Sequence, residues 1–424
     1  MRLRRVGKLD ILRLDRGILK CLIQVVVCVW VPMVSAVTQE ITAIYRPDSA
    51  KPLENKFVNT TPVSGICADY PAGCLGDIQF SLLLPVTFDS RAAIKPGHGL
   101  REGAVFKIPS DWRRLDVVDP GTGHRATVEV RISGFGGWYR FDRPVWELTG
   151  GDPGGSAGYA EIWGGHPWDP PSPCYGSLGG GYDDAGFGEG FIWSFPVGAV
   201  CAKQAKYLIP VLSYDTLSYV YELRTPKPLS MKAGQYTGSL TYSIGPGGDF
   251  DMGDIMQSSD GALTLNFNLD VEHVLKVDIP PGGNRVALLP EGGWQAWLQN
   301  PARIPKKLFR DQTFQISASG PFSMRLICSN MYGRWCGIKN ENNHLIPVAA
   351  RVSLPGGIVD GTGRPVVRQE LRHDLEVKFQ PGHYVDTKAA TLHFDVDRFV
   401  DEMLRDHAGS TYSGTVTVVW DSDV

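Results

Sequence analysis

From Ala262 to Val271 every second residue is apolar: Leu263, Leu265, Phe267, Leu269 and Val271 alternate with Thr264, Asn266, Asn268 and Asp270. A period of two predicts a strand with one buried and one solvated face. The same alternation runs through 78–86 (Ile78, Phe80, Leu82, Leu84, Val86) and 126–132 (Ala126, Val128, Val130, Ile132). Pro85 ends the first of these or places it on a sheet edge. Further strands are predicted at 192–200, 208–223, 273–279, 285–289, 313–319, 322–328, 346–354, 375–379 and 391–396. Only 397–406 reads as a helix. Many short strands separated by turn residues predict an all-β protein of sandwich type.

Composition agrees. The 424 residues include 49 glycines and 30 prolines, above a usual combined share of roughly 12%. No Gly-X-Y period appears, which excludes collagen. Hydrophobic residues make up 43% of the chain, enough for a core. With 42 basic and 45 acidic side chains the formal charge is -3. A nucleic-acid partner is therefore not expected, since phosphate binding needs clustered cations.

Residues 1–36 read as an export signal. Arg2, Arg4, Arg5, Lys8, Arg13 and Arg16 precede an apolar run, Ile18 to Val34, and Val34-Ser35-Ala36 resembles a cleavage site. Six cysteines follow the signal, an even number that in an exported chain reads as disulfides. Fifteen connectivities are open, and proximity favours Cys67–Cys74, Cys174–Cys201 and Cys328–Cys336. Zinc at these cysteines is not expected, because they form no CxxC pairs. No metal and no cofactor is expected elsewhere.

A segment recurs. Tyr236-Thr237-Gly238-Ser239-Leu240-Thr241 matches Tyr412-Ser413-Gly414-Thr415-Val416-Thr417, and both alternate as strands. The second copy lies near Val424, so the simplest reading is two domains closing on the same kind of strand. Gly245-Pro246-Gly247-Gly248 and the acids after it mark the junction. The expected division is a signal at 1–36, an N-terminal domain at 37–245, a linker at 246–261 and a C-terminal domain at 262–424.

Export, paired sandwiches and the Tyr-x-Gly closing strand together resemble the chaperone–usher fimbrial subunits, most of all the two-domain tip or initiator subunits of alternate-chaperone and cable pili. The resemblance spans 38–424. It implies two immunoglobulin-like or pilin-like sandwiches, the C-terminal one incomplete and lacking its last strand. It implies a periplasmic chaperone, an outer-membrane usher and a next fimbrial subunit as partners, with the chaperone and then the next subunit's N-terminal extension filling that groove by strand addition. Tyr412, Val416, Val418 and Trp420 share one face of the closing strand and, with Leu265 and Phe267, are expected to line the groove. The segment Thr38–Tyr45 reads as the first strand of the N-terminal domain rather than a donor, which implies a capping position at the fimbrial tip on the cell surface.

Receptor binding is expected within 134–195, where aromatic residues are spread through glycine-rich sequence that reads as loops. Aromatic faces on loops suit glycan stacking. Trp163, His166, Trp168, Tyr182, Asp183 and Asp184 are the first candidates, and the competing reading places half or more of the aromatics in the core. Arg113-Arg114 and Arg140/Arg143 form a second, basic candidate for anionic ligands. Catalysis is not expected. Gly154–Gly158 matches GxSxG without the strand and helix a nucleophile elbow needs, and no His motif accompanies it. The function classes left are a tip adhesin, a structural or assembly-initiating subunit without a receptor, and an unrelated secreted binding protein.

Overall fold

The computed structural model describes residues 37–299 and 304–422; the export signal read at 1–36 lies outside them. The alternation seen at 126–132 continues much further, because β4 (Arg125–Phe141) is one long strand. Before it lie β1 (Val37–Tyr45), β2 (Gln79–Leu84) and β3 (Arg113–Val118). After it come β5 (Tyr175–Tyr182), β6 (Gly188–Ser194), β7 (Leu212–Arg224), β8 (Gly234–Ser243) and β9 (Ala262–Val271). The order β7-β4-β3-β8-β9-β1 runs through one sheet, with β2 on β7, β6 on β4 and β5 on β6. The first half of β4 pairs with β3 and its second half with β6, while β7 runs beside it from Glu129 to Phe141. The sheet curls around one large core that includes Val130, Phe135, Tyr219, Tyr242 and Phe250.

Two boundary expectations change here. Residues 246–261 are not a free linker, since Phe250, Met252 and Met256 are buried in the first core and Asp251 receives the Arg101 guanidinium at 2.9 Å. The strand 262–271 does not open the second half. It pairs antiparallel with β8 and parallel with β1, in register from Val37–Leu263 to Tyr45–Val271. Period-two alternation shows that a strand has one buried face; it does not say which core receives it.

The remaining chain forms β10 (Leu275–Asp278), β11 (Leu308–Ala318), β12 (Phe322–Cys328), β13 (Trp335–Lys339), β14 (Leu345–Ser353), β15 (Ile358–Asp360), β16 (Val377–Pro381), β17 (Val385–Val396) and β18 (Val416–Asp421). One sheet runs β10-β11-β17-β14-β13 and a second runs β15-β16-β12-β18. Their facing apolar residues, among them Phe314, Met324, Val352 and Leu392, form a separate core. The predicted helix is present as Val400–Arg405, and 285–289 forms only a bridge at Leu289. His273 joins the two halves, contacting the Met231 carbonyl at 2.9 Å and Ser319 Oγ at 3.2 Å.

Disulfides join Cys67 to Cys74, Cys174 to Cys201 and Cys328 to Cys336. Cys174 and Cys201 are both buried, and the bond ties the entry of β5 to Val200–Lys203. Its sequence separation is 27 residues. Restoring that loop's freedom to the unfolded chain costs about 3.5 kcal/mol. A Cys174→Ser/Cys201→Ser variant is expected to lose that much unfolding free energy in a denaturant titration. A loss below about 1 kcal/mol would show that the bond constrains little.

Candidate functional site

The sandwich of the second half is unevenly covered. The inner face of the β11-β17-β14-β13 sheet carries apolar residues along its whole length. The second sheet covers only the part built on Phe314, Ile316, Leu392 and Val352. At the other end Leu308, Val348 and Val396 meet Val400 and Met403 of the short helix and, more loosely, Trp294. Between 284–288 and 407–416 a groove of about 690 Å³ remains, bordered by Leu288, Trp294, Leu308, Val348, Phe394 and Tyr412.

The end strand β18 runs on from this groove and pairs only with β12 among the named strands. Val416, Val418 and Trp420 pack on the second core, with the Trp420 ring edge-on to Phe314 at 5.8 Å. Tyr412 packs on the neighbouring cluster around Leu308. Trp297 Nε1 in the groove and Trp420 Nε1 on β18 are buried without an acceptor among the described residues. A strand laid beside β18 would bring carbonyl groups and apolar side chains to this place. Leu265 and Phe267 do not belong here. They lie on β9, at most 1% exposed, within the first core.

The aromatic stretch 134–195 is mostly regular structure. Besides β4, β5 and β6 it holds the helices Val145–Thr149 and Ala157–Trp163. The second helix begins within Gly154–Gly158, and the element just before the motif is the helix Val145–Thr149, not the strand a nucleophile elbow needs. Glycine reads as a loop signal, yet here it makes room for indoles. A Cβ at Gly186 would come within 2.3 Å of the Trp146 ring, one at Gly180 within 2.8 Å of Trp168, and one at Gly190 within 3.3 Å of Trp138. Eight of the fourteen aromatics in this stretch are core: Phe135, Tyr139, Phe141, Tyr159, Trp163, Phe191, Trp193 and Phe195.

Trp163 is therefore no surface contact. It is 6% exposed and its Nε1 donates to Tyr139 Oη at 3.1 Å. His166 and Trp168 do come together, half-buried and stacked at 4.0 Å. Tyr182 is exposed and sits 6.3 Å from Tyr159. Asp183 caps its own turn, accepting from the Ala185 amide at 2.9 Å, and Asp184 is exposed. The basic candidates are spoken for. Arg113 pairs with Asp249, Arg114 with Glu129, Arg140 with Asp215 and Arg143 with Asp142.

Two features were not singled out from sequence. On the outer face of the first sheet, Trp138 lies across Gly190 and Gly181 and borders a cleft of about 90 Å³. Asp69, Tyr70, Thr216 and Ser218 also line it. The short Cys67–Cys74 loop holds Asp69 and Tyr70 over the sheet, with Tyr70 about half exposed. A flat ring bordered by hydroxyls and one carboxylate is the chemistry of a sugar platform.

Inside the same sheet, Glu189 is fully buried on β6. Its Oε2 accepts from Tyr139 Oη at 2.9 Å, while Oε1 has no hydrogen-bond partner among the described residues and lies 3.8 Å from His166 Nδ1. Burial pushes the carboxyl up to about 8, against the opposing pull of the Tyr139 bond and the Lys203 charge. The Lys203 ammonium donates to the Gly165 and His166 carbonyls, and burial lowers it. The Tyr139 hydroxyl is raised by its own burial and by Glu189.

No family model matches the chain, and no curated protein matches it. Solved structures do. A chaperone–tip adhesin complex of CFA/I fimbriae matches at 9% identity over 91% of this chain and 96% of that one, with a TM-score of 0.25. CfaE, the adhesive subunit of CFA/I fimbria of enterotoxigenic Escherichia coli, matches at 10% identity over 91% and 92%, with a TM-score of 0.23. The CsuC–CsuE chaperone–tip adhesion subunit complex of Acinetobacter baumannii matches at 10% identity over 92% and 99%, with a TM-score of 0.22. TM-scores this low do not establish a common fold.

Proposed function

We propose that the chain is a tip adhesin of a chaperone–usher fimbria, exported to the cell surface, with a receptor-binding half ending at Val271 and a pilin half from Leu275. The observation that carries this reading is the open apolar groove running up to the end strand β18. An edge strand beside uncovered core invites aggregation unless a partner strand fills the gap. A periplasmic chaperone supplies that strand first and, after delivery to an outer-membrane usher, the next subunit's extension replaces it. Because β1 is already paired with β9, it is not free to be donated, which favours a capping position at the tip.

The receptor in this reading is a glycan, stacked on Trp138 and held at its hydroxyls by Asp69, Thr216 and Ser218. His166, Trp168 and Tyr182 lie on the other face of the sheet, toward Glu189 and Tyr159, and are not part of this platform. The test uses the full exported chain with its groove filled by an alternating apolar peptide. Such a complex is expected to bind glycan-coated surfaces. Trp138→Ala is expected to lose at least about tenfold in affinity, the share of one stacked aromatic, with an unchanged melting profile. Failure to take up any such peptide sinks the fimbrial reading; peptide uptake with glycan binding indifferent to Trp138 sinks only the platform.

A further inference from the structure

Two neighbouring side chains, Glu402 and His407, meet the sequence-distant His344 at the rim of the groove. His344 stands at the turn before β14, Glu402 on the helix Val400–Arg405 and His407 just past that helix. One potential ligand atom from each lies within 4.8 Å of the others. His344 Nε2 is 3.1 Å from Glu402 Oε1, and the two imidazoles stack at 4.0 Å, 18° from parallel. All three are half-buried, within reach of solvent yet held in place.

We propose that His344, Glu402 and His407 bind one Zn²⁺ ion. Two imidazoles and one carboxylate form a borderline donor set that suits zinc, whereas Mg²⁺ and Ca²⁺ take oxygen ligands. A tetrahedral ion would keep its fourth position for water. The surroundings fit a metal-bound histidine. His344 Nδ1 lies 2.6 Å from Tyr412 Oη, so with Nδ1–H donating to that oxygen the Nε2 lone pair turns toward Glu402 and the ion. An outer hydrogen bond of this kind fixes the tautomer and orientation of a metal-ligating imidazole. The two rings stack face to face in this structure, so holding one ion through both requires His407 to turn its ring plane toward that of His344.

The site would also fasten the 407–412 segment, one wall of the groove, to the turn before β14. It stands apart from the fimbrial reading, because it uses only side chains already gathered in this fold.

The experiment is calorimetric titration of the full, tag-free chain with ZnCl₂ near neutral pH. One ion per chain is expected, with a dissociation constant on the order of micromolar and little heat from MgCl₂ or CaCl₂. His407→Ala is expected to weaken zinc at least about 100-fold and Tyr412→Phe about tenfold. Glu402→Gln provides a second ligand variant that keeps the helix, and a melting profile checks each fold. Co²⁺ in place of Zn²⁺ is expected to give the visible absorption of a tetrahedral site in the parent and none in His407→Ala. The proposal is overturned if the parent shows no saturable uptake, or if uptake is the same in His407→Ala and Glu402→Gln.

Discussion

Above pH 8 the Glu189→Gln variant is expected to be more stable than its parent by up to about 5 kcal/mol. The Glu189 carboxyl rises from its ordinary 4.5 to about 8 in the folded protein because it is buried. A raised acid binds its proton more tightly folded than unfolded. The resulting stabilisation is complete below pH 4.5, where both states are protonated. It is lost as pH rises from 4.5 to about 8, because the unfolded chain ionises freely while the folded one resists. The loss accumulates at about 1.4 kcal/mol per pH unit.

Glutamine has nearly the same shape, can accept from Tyr139 through its carbonyl, and does not titrate. Parent and variant should therefore have similar denaturation midpoints near pH 4.5 and diverge steadily up to pH 8. The difference between the two cancels the titration of the other groups they share. Parallel stability curves across that window would mean that Glu189 is ionised in the folded protein and that its burial is relieved in solution.

Joining a strand to the chain's own C-terminus is expected to stabilise the second half by about 4 kcal/mol. The joined segment would follow Val424 through a short flexible linker and carry apolar residues at alternate positions. A tethered strand meets the groove at an effective concentration near the millimolar range. If a free peptide of the same sequence binds with micromolar affinity, the ratio of about a thousand gives this figure. Its side chains would cover Leu308, Val348 and Phe394, and its carbonyls would face the unpartnered Trp297 and Trp420 indoles. A control segment with the same composition in scrambled order breaks the alternation and should leave the melting point near that of the parent. Equal melting points for the two extensions would remove the groove from the account of assembly.

Much of the strand map was legible in the sequence. The segments 322–328 and 262–271 occupy the positions their alternation predicts, and the one predicted helix forms. Alternation is local, and local patterning survives into the fold. Partnership is not local, which is why Leu265 and Phe267 fall in a different core from Val416 and Trp420. The glycine-rich stretch misled for a physical reason. A glycine in a strand makes room for a neighbouring ring as readily as a glycine in a loop permits a turn, and sequence alone does not separate the two. Glu189 gave no signal either, since a single acid among glycines reads as a solvated surface residue. His344, Glu402 and His407 meet only after two turns and a helix have been placed.

The parallel pairing of β1 with β9 also bears on the order in which the molecule can be made. Glu40 bonds to Asn266 across 226 residues of chain. On a chain that crosses a membrane from its N-terminus, the first strand to arrive waits for one of the last strands of its own sheet. Until then β1 lacks its main partner, and the edge of β8 that β9 will cover is open as well. The vulnerable interval thus begins early in translocation, well before the groove beside β18 has been made. A fragment stopped at 245 would hold that unfinished state permanently, so the first half is a folding unit only when the strand ending at Val271 is included.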